Sequence, residues 1–202
     1  MAGAGAVIRL ATAADAARCR AIYAPAITDQ PTSFETTVPT EDEMGRRIAA
    51  VLERTPWLVW DDPERGVLGY AYAGRHRERE AYGWTAETTV YLDPAAKGRG
   101  IGRALCEALL AVLEIQGFRL AVAGTTLPND ASVALHRAAG FREVGVFHGI
   151  GWKFGAAHDV AWFERRIGDA NGASGQPASI RPIGEIVGDP AFLAALNVPR
   201  RE

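Results

Sequence analysis

The sequence has little cysteine, no surplus of basic residues and no long apolar run, and each shortage excludes a class of protein. Its 202 residues include only two cysteines, Cys19 and Cys106, both within apolar helical patterns, so neither a disulfide framework nor a metal site is expected. The formal net charge of −2 argues against a nucleic-acid partner, because phosphates are usually met by basic residues. The N-terminus lacks a signal-peptide pattern, and no apolar run is long enough to span a bilayer. These features predict a cytoplasmic protein with two buried thiols and no membrane partner.

The composition is that of an ordinary globular protein, with 48% hydrophobic and 23% charged residues. The length allows one sizeable core. After Ile167 the segment "GDANGASGQPAS" has the small, polar make-up of a linker, and "DPAFLAALNV" has the pattern of one short helix. We therefore predict a single domain over residues 1–167, followed by a linker and C-terminal tail over residues 168–202.

Capping motifs and apolar periodicity predict a mixed α/β fold. The segments "TAAD" and "TEDE" have the spacing of capping boxes, which predict helices ending near Ala24 and Arg54. Two further helices are predicted from Ile101 to Gly117 and within "NDASVALHRAAG". Strand patterns occur at 8–10, in the "WLVWDDPERGVLGYAYAG" hairpin, at 85–92, in "FRLAVAG", and around "FREVGVFH" and "HDVAWFERR". This order favours a mainly antiparallel, twisted sheet with helices on both faces.

Three glycines, Gly98, Gly100 and Gly102, separate the strand that ends at Leu92 from the next helix. The spacing does not satisfy G-x-G-x-x-G, because Arg103 stands where the last glycine should be, and no G-K-[ST] follows. What remains is a basic turn before a helix whose first N–H groups are free to meet an anion. Added charge comes from Lys97, Arg99 and Arg103. The turn therefore predicts a phosphate or pyrophosphate site, although a solvated basic turn fits the same residues.

The stretch "VYLDPAAKGRGIGRAL" resembles the acyl-CoA signature of the GNAT superfamily of N-acetyltransferases, [Q/R]-x-x-G-x-[G/A]. The segments "SFETTVPT", "PWLV", "GYAYAG", "YGWTAETTVYL", "QGF", "LPNDASVALHRAAGF" and "HDVAWF" extend the likeness to the phosphinothricin and methionine sulfone or sulfoximine acetyltransferase family. The resemblance covers roughly residues 8 to 167, and Lys97 occupies the position where the signature has glutamine or arginine. It implies a GNAT fold.

The resemblance also implies how acetyl-CoA is held. The glycine turn would wrap its pyrophosphate, through Lys97, Gly98, Arg99, Gly100, Ile101, Gly102 and Arg103. The preceding strand would pair with the pantetheine arm through the main chain of Val90, Tyr91 and Leu92. Asn129 matches an asparagine that contacts the cofactor in the family, and it also has the position of a helix N-cap.

Two residues are candidates for the chemistry. Acetyl transfer to an amine requires a base, because an amino group near pH 7 is mostly protonated. The resemblance puts a substrate-contacting glutamate at Glu87, beside Thr88 and Thr89, while the residues alone also allow a solvated strand glutamate. It puts His136 where the phosphinothricin group carries histidine, and imidazole can act as acid or base near neutral pH, or simply pack. A backbone amide within 90–92 would meet the oxyanion.

The substrate is expected to be a small molecule that carries an anionic group. The family's substrate loop aligns with Arg77, Glu78 and Arg79, and arginine forks suit carboxylate or phosphinate oxygens, although a solvated turn fits the same loop. Phe34 and Glu35 are expected to wall the pocket.

The resemblance thus implies an enzyme that acetylates the amino group of a small amino acid or analogue of the phosphinothricin, methionine sulfoximine or methionine sulfone type. It would use acetyl-CoA and no metal, and would act as a homodimer. The alternatives are acetylation of a protein N-terminus or a polyamine, or a non-catalytic acyl-CoA-binding module. The last is to be distinguished by whether Glu87 and His136 line one pocket.

Overall fold

The computed structural model describes residues 5–168 and 177–197. Within these ranges the chain forms a seven-stranded sheet and five α-helices. The strands are β1 (Val7–Leu10), β2 (Trp57–Asp62), β3 (Gly66–Arg75), β4 (Thr85–Leu92), β5 (Leu120–Thr126), β6 (Arg142–Lys153) and β7 (Ala156–Arg166). The helices are α1 (Ala16–Thr28), α2 (Glu41–Leu52), α3 (Ile101–Gln116), α4 (Asp130–Ala138) and α5 (Pro190–Leu196).

The strand order is β1-β2-β3-β4-β5-β7-β6, and every neighbouring pair is antiparallel except β4 and β5. Alternate strand residues supply two cores on opposite faces. Leu58 and Leu68 pack on one face with α3, whereas Val59 and Val67 pack on the other with α1 and α2. The predicted fold class, a mainly antiparallel sheet flanked by helices on both faces, is confirmed.

The parallel pair β4–β5 is short, and this shapes the site. Its register runs from Thr85 opposite Leu120 to Glu87 opposite Val122, and the two strands then diverge. At the last pair Thr88 Oγ1 donates a hydrogen bond of 3.1 Å to the Val122 carbonyl oxygen. Beyond it the sheet is split in its centre.

Helix α1 extends four residues further than the sequence pattern predicted, to Thr28 rather than Ala24. The prediction stopped at Pro25, which has no N–H to continue a helix. Ala26 and Ile27 are buried against α2, and this packing stabilises the helix beyond the proline. Asp29 N still donates a hydrogen bond of 3.1 Å to the Pro25 carbonyl.

The hairpin of β6 and β7 is longer than predicted. The sequence pattern broke the first strand at His148 and began the second at His158, because glycines interrupt the segment between them. In the structure the register shifts after Phe147 and resumes at Gly151 opposite His158. A turn at Phe154, with a φ of 52°, closes the hairpin. Cross-strand pairing thus overrides the local effect of glycine.

The C-terminal tail packs across the sheet edge and α3. Trp84 Nε1 donates to the Ala178 carbonyl at 2.8 Å, and Gln116 Nε2 donates to the Arg54 and Arg181 carbonyls, each at 2.7 Å. The predicted short helix is α5, and Phe192 on it is buried in a small apolar cluster with α3. Most of the predicted linker, residues 169–176, lies outside the described residues.

Two further expectations concern the thiols and membrane helices. Cys19 and Cys106 are both buried and free, as the sequence predicted. Among the helices of the described ranges, none combines the length and apolarity needed to cross a membrane.

Candidate functional site

A cleft of about 720 Å³ opens where β4 and β5 diverge. One wall is the separated part of β4, residues 88–92, and another is the end of β5 with the adjoining helix α4. The third is α1 with the loop after it. Because residues from helices on both faces of the sheet contribute, the cleft passes through the sheet. Its lining on the α1 side is Ile22, Pro25, Ala26, Gln30 and Thr32.

The separated part of β4 presents an open main-chain edge to the cleft. On its other side it pairs with β3, for instance Val90 with Ala71 and Leu92 with Gly69. On the cleft side, no strand of the described chain pairs with β4 beyond Glu87. Backbone groups of this kind require partners, and an extended ligand can supply them as an added strand does. Val90, Tyr91 and Leu92 all line the cleft.

The glycine turn lies at one end of the cleft. Gly98 and Gly100 have φ values of 73° and 75°, in the left-handed region that favours glycine. A Cβ at either position would meet nothing within 4 Å, so the space over the turn is open. At Gly102 the need for glycine comes from packing, since a Cβ there would lie 3.1 Å from Leu92 Cδ1. Two of the three glycines are thus required by the turn and one by packing.

The start of α3 completes an anion-binding arrangement. Gly100 is the N-cap of the helix, and the first intrahelical bond recorded there is from Ala104 N to the Gly100 carbonyl. The preceding N–H groups of the first turn are therefore available to a ligand. Lys97 and Arg103 line the cleft, whereas Arg99 is exposed outside the lining and Ile101 is buried in the core. The turn fits a pyrophosphate by its amides and by two cations.

Asn129 begins α4 at the opposite wall. Its Oδ1 accepts a hydrogen bond of 3.1 Å from Ser132 N, so the predicted N-cap is present. The side chain also lines the cleft, and next to it Ser132 Oγ lies 3.2 Å from Thr125 Oγ1. Both interpretations made from the sequence are compatible with this position.

His136 lies in the last turn of α4 and lines the cleft. Its ring is held between Phe163 and Phe141, each with a centroid 5.2 Å away, and both belong to the core that contains α3. Nδ1 is buried with no hydrogen-bond partner among the described residues. Burial lowers the pKa of His136 to about 4. The imidazole is therefore neutral at neutral pH.

Glu87 lies on the other face of the sheet from His136. Ala86 packs in the core with α3, so Glu87 and Thr89, which alternate with it, face α1 and α2. Thr89 lines the cleft and Glu87 does not, although the two share a face two residues apart. Glu87 Oε2 instead contacts His76 Nδ1 at 3.1 Å. Of the two candidate catalytic residues, only His136 therefore lines the cleft, and the criterion that both line one pocket is not met.

Thr88 is buried and also borders the cleft, where its hydroxyl is engaged by the Val122 carbonyl. Apart from Thr88 and Thr89, the residues predicted to contact substrate lie outside the cleft lining. Arg77, Glu78 and Arg79 are exposed, and within the described residues their side chains form no hydrogen bond or ion pair, although the Arg79 carbonyl accepts a hydrogen bond of 3.0 Å from Tyr82 N.

Phe34 and Glu35 lie beyond α1, near the hairpin of β6 and β7. Phe34 is 40% exposed, and its ring covers Gly151 so closely that a Cβ there would be 2.1 Å from Phe34 Cζ. Glu35 Oε1 accepts hydrogen bonds from Arg47 at 2.7 Å and from the Tyr23 hydroxyl at 3.0 Å. Neither residue lines the cleft itself.

Sequence reasoning missed two contributions to the site. The first is α1 with residues 30 and 32, which border the cleft; the proline inside an apolar helix, Pro25, was the available signal. The second is His76, which is separated from Glu87 by a turn and is brought to it by the β3–β4 pairing. Within residues 5–168 and 177–197, no group of three or more His, Cys, Asp and Glu side chains is placed to hold a metal ion.

Comparison with known proteins agrees with this geometry. The family profile of the Acetyltransferase (GNAT) domain matches residues 8–162. The chain is 38% identical over 179 residues to a phosphinothricin N-acetyltransferase of Streptomyces viridochromogenes, which spans 89% of this chain and 95% of that protein. It is 33% identical over 162 residues to the L-methionine sulfoximine/L-methionine sulfone acetyltransferase of Salmonella typhimurium, which spans 79% and 94%.

A solved structure is similar over nearly the same range. The crystal structure of a phosphinothricin acetyltransferase from Sinorhizobium meliloti, in complex with acetyl-CoA, has a TM-score of 0.82 at 35% identity and covers 89% of this chain and 97% of that one. Together with the split sheet and the glycine turn, these matches identify the chain as a member of the GNAT acetyltransferase family, in the group of the phosphinothricin and methionine sulfoximine/sulfone acetyltransferases.

Proposed function

We propose that this protein transfers the acetyl group of acetyl-CoA to the amino group of a small amino acid or analogue, of the phosphinothricin, methionine sulfoximine or methionine sulfone type. The observation that carries the proposal is the cleft through the sheet. It joins the glycine turn at one end to His136 and the α1 wall at the other, so two reactants can meet inside it from opposite faces.

The acetyl-CoA end is supported by the open turn and the open strand edge. Amides at the start of α3, with Lys97 and Arg103, would hold the pyrophosphate. The main chain of residues 90–92 would hold the pantetheine arm. Acetyl-CoA supplies a thioester that an amine can attack, and the remaining requirements fall on the chain's own residues.

Glu87 is the proposed base. The incoming ammonium group must lose a proton before attack, and a carboxylate can take it directly or through one water. Thr89 lies two residues further along β4, on the same face, and lines the cleft. Glu87 is therefore the next side chain on that face, directly outside the lining. A backbone N–H within residues 90–92 would stabilise the negative charge that develops on the attacked carbonyl oxygen.

His136 would act in its neutral form. Its lowered pKa, about 4, disfavours an imidazolium that donates a full proton at neutral pH. A neutral ring can still donate one N–H or accept one proton. We therefore propose that His136 hydrogen-bonds the departing sulfur or a water beside it, held rigid by Phe141 and Phe163.

Substrate selection is proposed to rest on the loop between β3 and β4. Arg77 and Arg79 are exposed there, with no ion pair within the described residues, so each can form a charge-assisted contact with a carboxylate or phosphinate. Phe34, Glu78, Thr88 and Thr89 complete the proposed substrate-binding set.

The assembly is proposed to be a cytoplasmic homodimer that binds no nucleic acid and uses no metal. The two buried free thiols favour a reducing compartment. Support for a dimer comes from the edge strand β6, where Val144, Phe147, Ile150 and Trp152 are between 54% and 74% exposed. A run of exposed apolar side chains on a sheet edge is typical of an interface.

The test is release of free coenzyme A thiol from acetyl-CoA against a panel of acceptors. The panel contains phosphinothricin, methionine sulfoximine, methionine sulfone, the proteinogenic amino acids, spermidine and a short peptide. Thiol release with an amino-acid-type acceptor, with the acetylated amine identified by mass spectrometry, supports the proposal. Preference for spermidine or the peptide would favour the alternative acetyltransferases. Tight acetyl-CoA binding with no turnover on any acceptor would favour a non-catalytic module.

A further inference from the structure

We propose that His76 is a positioning residue that orients Glu87 for proton transfer. The inference rests on the proposed function, because it concerns the base of that reaction. It adds a residue that lies outside the cleft lining and acts through Glu87 rather than on the substrate.

The contact between the two side chains is direct. His76 Nδ1 lies 3.1 Å from Glu87 Oε2, a distance at which an imidazole N–H donates to a carboxylate. The side chain of His76 is 17% exposed and that of Glu87 is 39% exposed. His76 is therefore the more buried partner, and its hydrogen bond restricts the more exposed Glu87 side chain.

The imidazole is itself fixed from two sides. Its centroid lies 5.7 Å from the ring of Trp162 and 6.1 Å from that of Tyr82, with interplanar angles of 70° and 78°. Edge-to-face contacts of this kind restrict a ring's orientation. A ring that is held between two aromatics can pass that restriction to a carboxylate through one hydrogen bond.

The cluster adjoins the cleft through Trp162. This residue pairs with Gly124, and a Cβ on Gly124 would lie 3.5 Å from the indole ring. Gly124 lines the cleft, as does Thr89 on the face that carries Glu87. The side chains of His76, Trp162 and Glu87 thus form a cluster directly behind the part of the cleft wall that Gly124 and Thr89 line.

The consequence for the chemistry follows from the carboxylate's two oxygens. With Oε2 held by His76, Oε1 remains for the ammonium group or for a bridging water. Without the hydrogen bond, a half-exposed glutamate would sample several rotamers, and only some of them direct an oxygen toward the cleft. Misplacement of a reacting group by about 1 Å can cost about 100-fold in rate, so we expect a loss of about 10- to 100-fold in kcat.

Two substitutions separate the hydrogen bond from the packing. His76→Phe keeps a ring between Trp162 and Tyr82 but has no N–H. His76→Asn keeps an N–H donor near the position of Nδ1 but loses most of the ring. The positioning role predicts a lower kcat in His76→Phe, unchanged acetyl-CoA affinity, and substantial recovery in His76→Asn. A packing role predicts the reverse order, and this result would overturn the inference.

A double-mutant cycle with Glu87→Gln closes the test. If His76 acts through Glu87, the double variant His76→Phe/Glu87→Gln has the kcat of Glu87→Gln alone. Losses that multiply would mean that the two residues act independently and would overturn the proposal. Far-ultraviolet circular dichroism identifies any unfolded variant, and if His76→Phe is unfolded, His76→Leu, which also lacks the N–H, carries the cycle in its place. Acetylation at wild-type kcat in His76→Phe removes only this inference, whereas no acetylation by the wild-type protein removes the proposed function with it.

Discussion

Thr88 Oγ1 donates a 3.1 Å hydrogen bond to the Val122 carbonyl at the residue where β4 and β5 stop pairing. The bond joins the two strands at the inner end of the cleft, where Thr88 is the first residue of β4 in the lining. It therefore marks the boundary between a continuous sheet and a split one. Residues beyond it face the open cleft, and those before it face another strand.

The first prediction concerns the glycine turn. Gly100→Val places a side chain in the open space over the turn and disfavours its left-handed backbone. Loss of one charge-assisted contact costs about 1.5–3 kcal/mol, so Kd for acetyl-CoA should rise by about one to two decades. Isothermal titration calorimetry measures it. Gly66→Val is the matched control, because Gly66 also has a positive φ, 68°, and open space but lies outside the cleft lining. Unchanged affinity in Gly100→Val would contradict the pyrophosphate site.

The second prediction concerns the base. Glu87→Gln should preserve acetyl-CoA affinity but lower turnover at neutral pH by about 10²- to 10⁴-fold, the usual contribution of general-base catalysis. Raising the pH should restore part of the loss, because more of the amine is already neutral. Steady-state thiol release across the pH range checks both. Glu80→Gln, a change in the preceding loop, should behave as wild type. Full turnover of Glu87→Gln at pH 7 would remove Glu87 from the role.

The third prediction follows from the buried imidazole. His136 has its pKa lowered from 6.5 to about 4 in the folded state, so between these pH values the unfolded chain binds more protons. Stability must then rise with pH in this window, and fall as the pH drops from 6.5 toward 4. The single site accounts for on the order of 2 kcal/mol between pH 7 and pH 5.

Urea unfolding at the two pH values checks this sign and size. Other groups titrate in the same range. The informative quantity is therefore the change in unfolding free energy between the two pH values, compared between the wild type and His136→Phe. A phenylalanine fits between Phe141 and Phe163 and cannot bind a proton. The variant should lose about 2 kcal/mol less stability than the wild type on acidification. An equal loss in both proteins would mean that His136 titrates normally.

The fourth prediction concerns substrate choice. If Arg77 or Arg79 pairs with an anionic group of the substrate, its replacement by alanine should raise KM for a carboxylate-bearing amine by about one to two decades. KM for the corresponding amide should change far less. Arg75→Ala, at the end of β3, is the control for general loss of positive charge. A preference for acid over amide that survives both truncations would leave the loop as a solvated turn, and would raise peptides and polyamines as substrates.

The fifth prediction concerns assembly. An aspartate at Phe147 or Trp152, 54% and 74% exposed on the edge strand β6, should shift the protein from dimer to monomer, because it would bury a charge in the interface. Size-exclusion chromatography with light scattering measures the mass. Val7→Asp is the control, since Val7 is 53% exposed on β1 at the opposite edge of the sheet. A monomeric wild-type protein, or a dimer in all three variants, would refute an interface on β6.

Local features were determined by the sequence itself. The boundaries of β4, the start of α3 at Ile101 and its end before Gly117 all match the sequence prediction. Asn129 and Thr40 cap the helices that their positions predicted. Each of these features depends on residues within one turn or one strand, so a local pattern contains the information.

The tertiary structure alone decided where the candidate residues lie relative to one another. The alternation of a strand puts Glu87 on one face, while the packing of α4 puts His136 on the other, and of the two only His136 lines the cleft between β4 and β5. His76 meets Glu87 because β3 and β4 pair in one register. Burial between Phe141 and Phe163 makes His136 neutral. These properties depend on contacts between segments far apart in the chain, and packing in three dimensions determines such contacts.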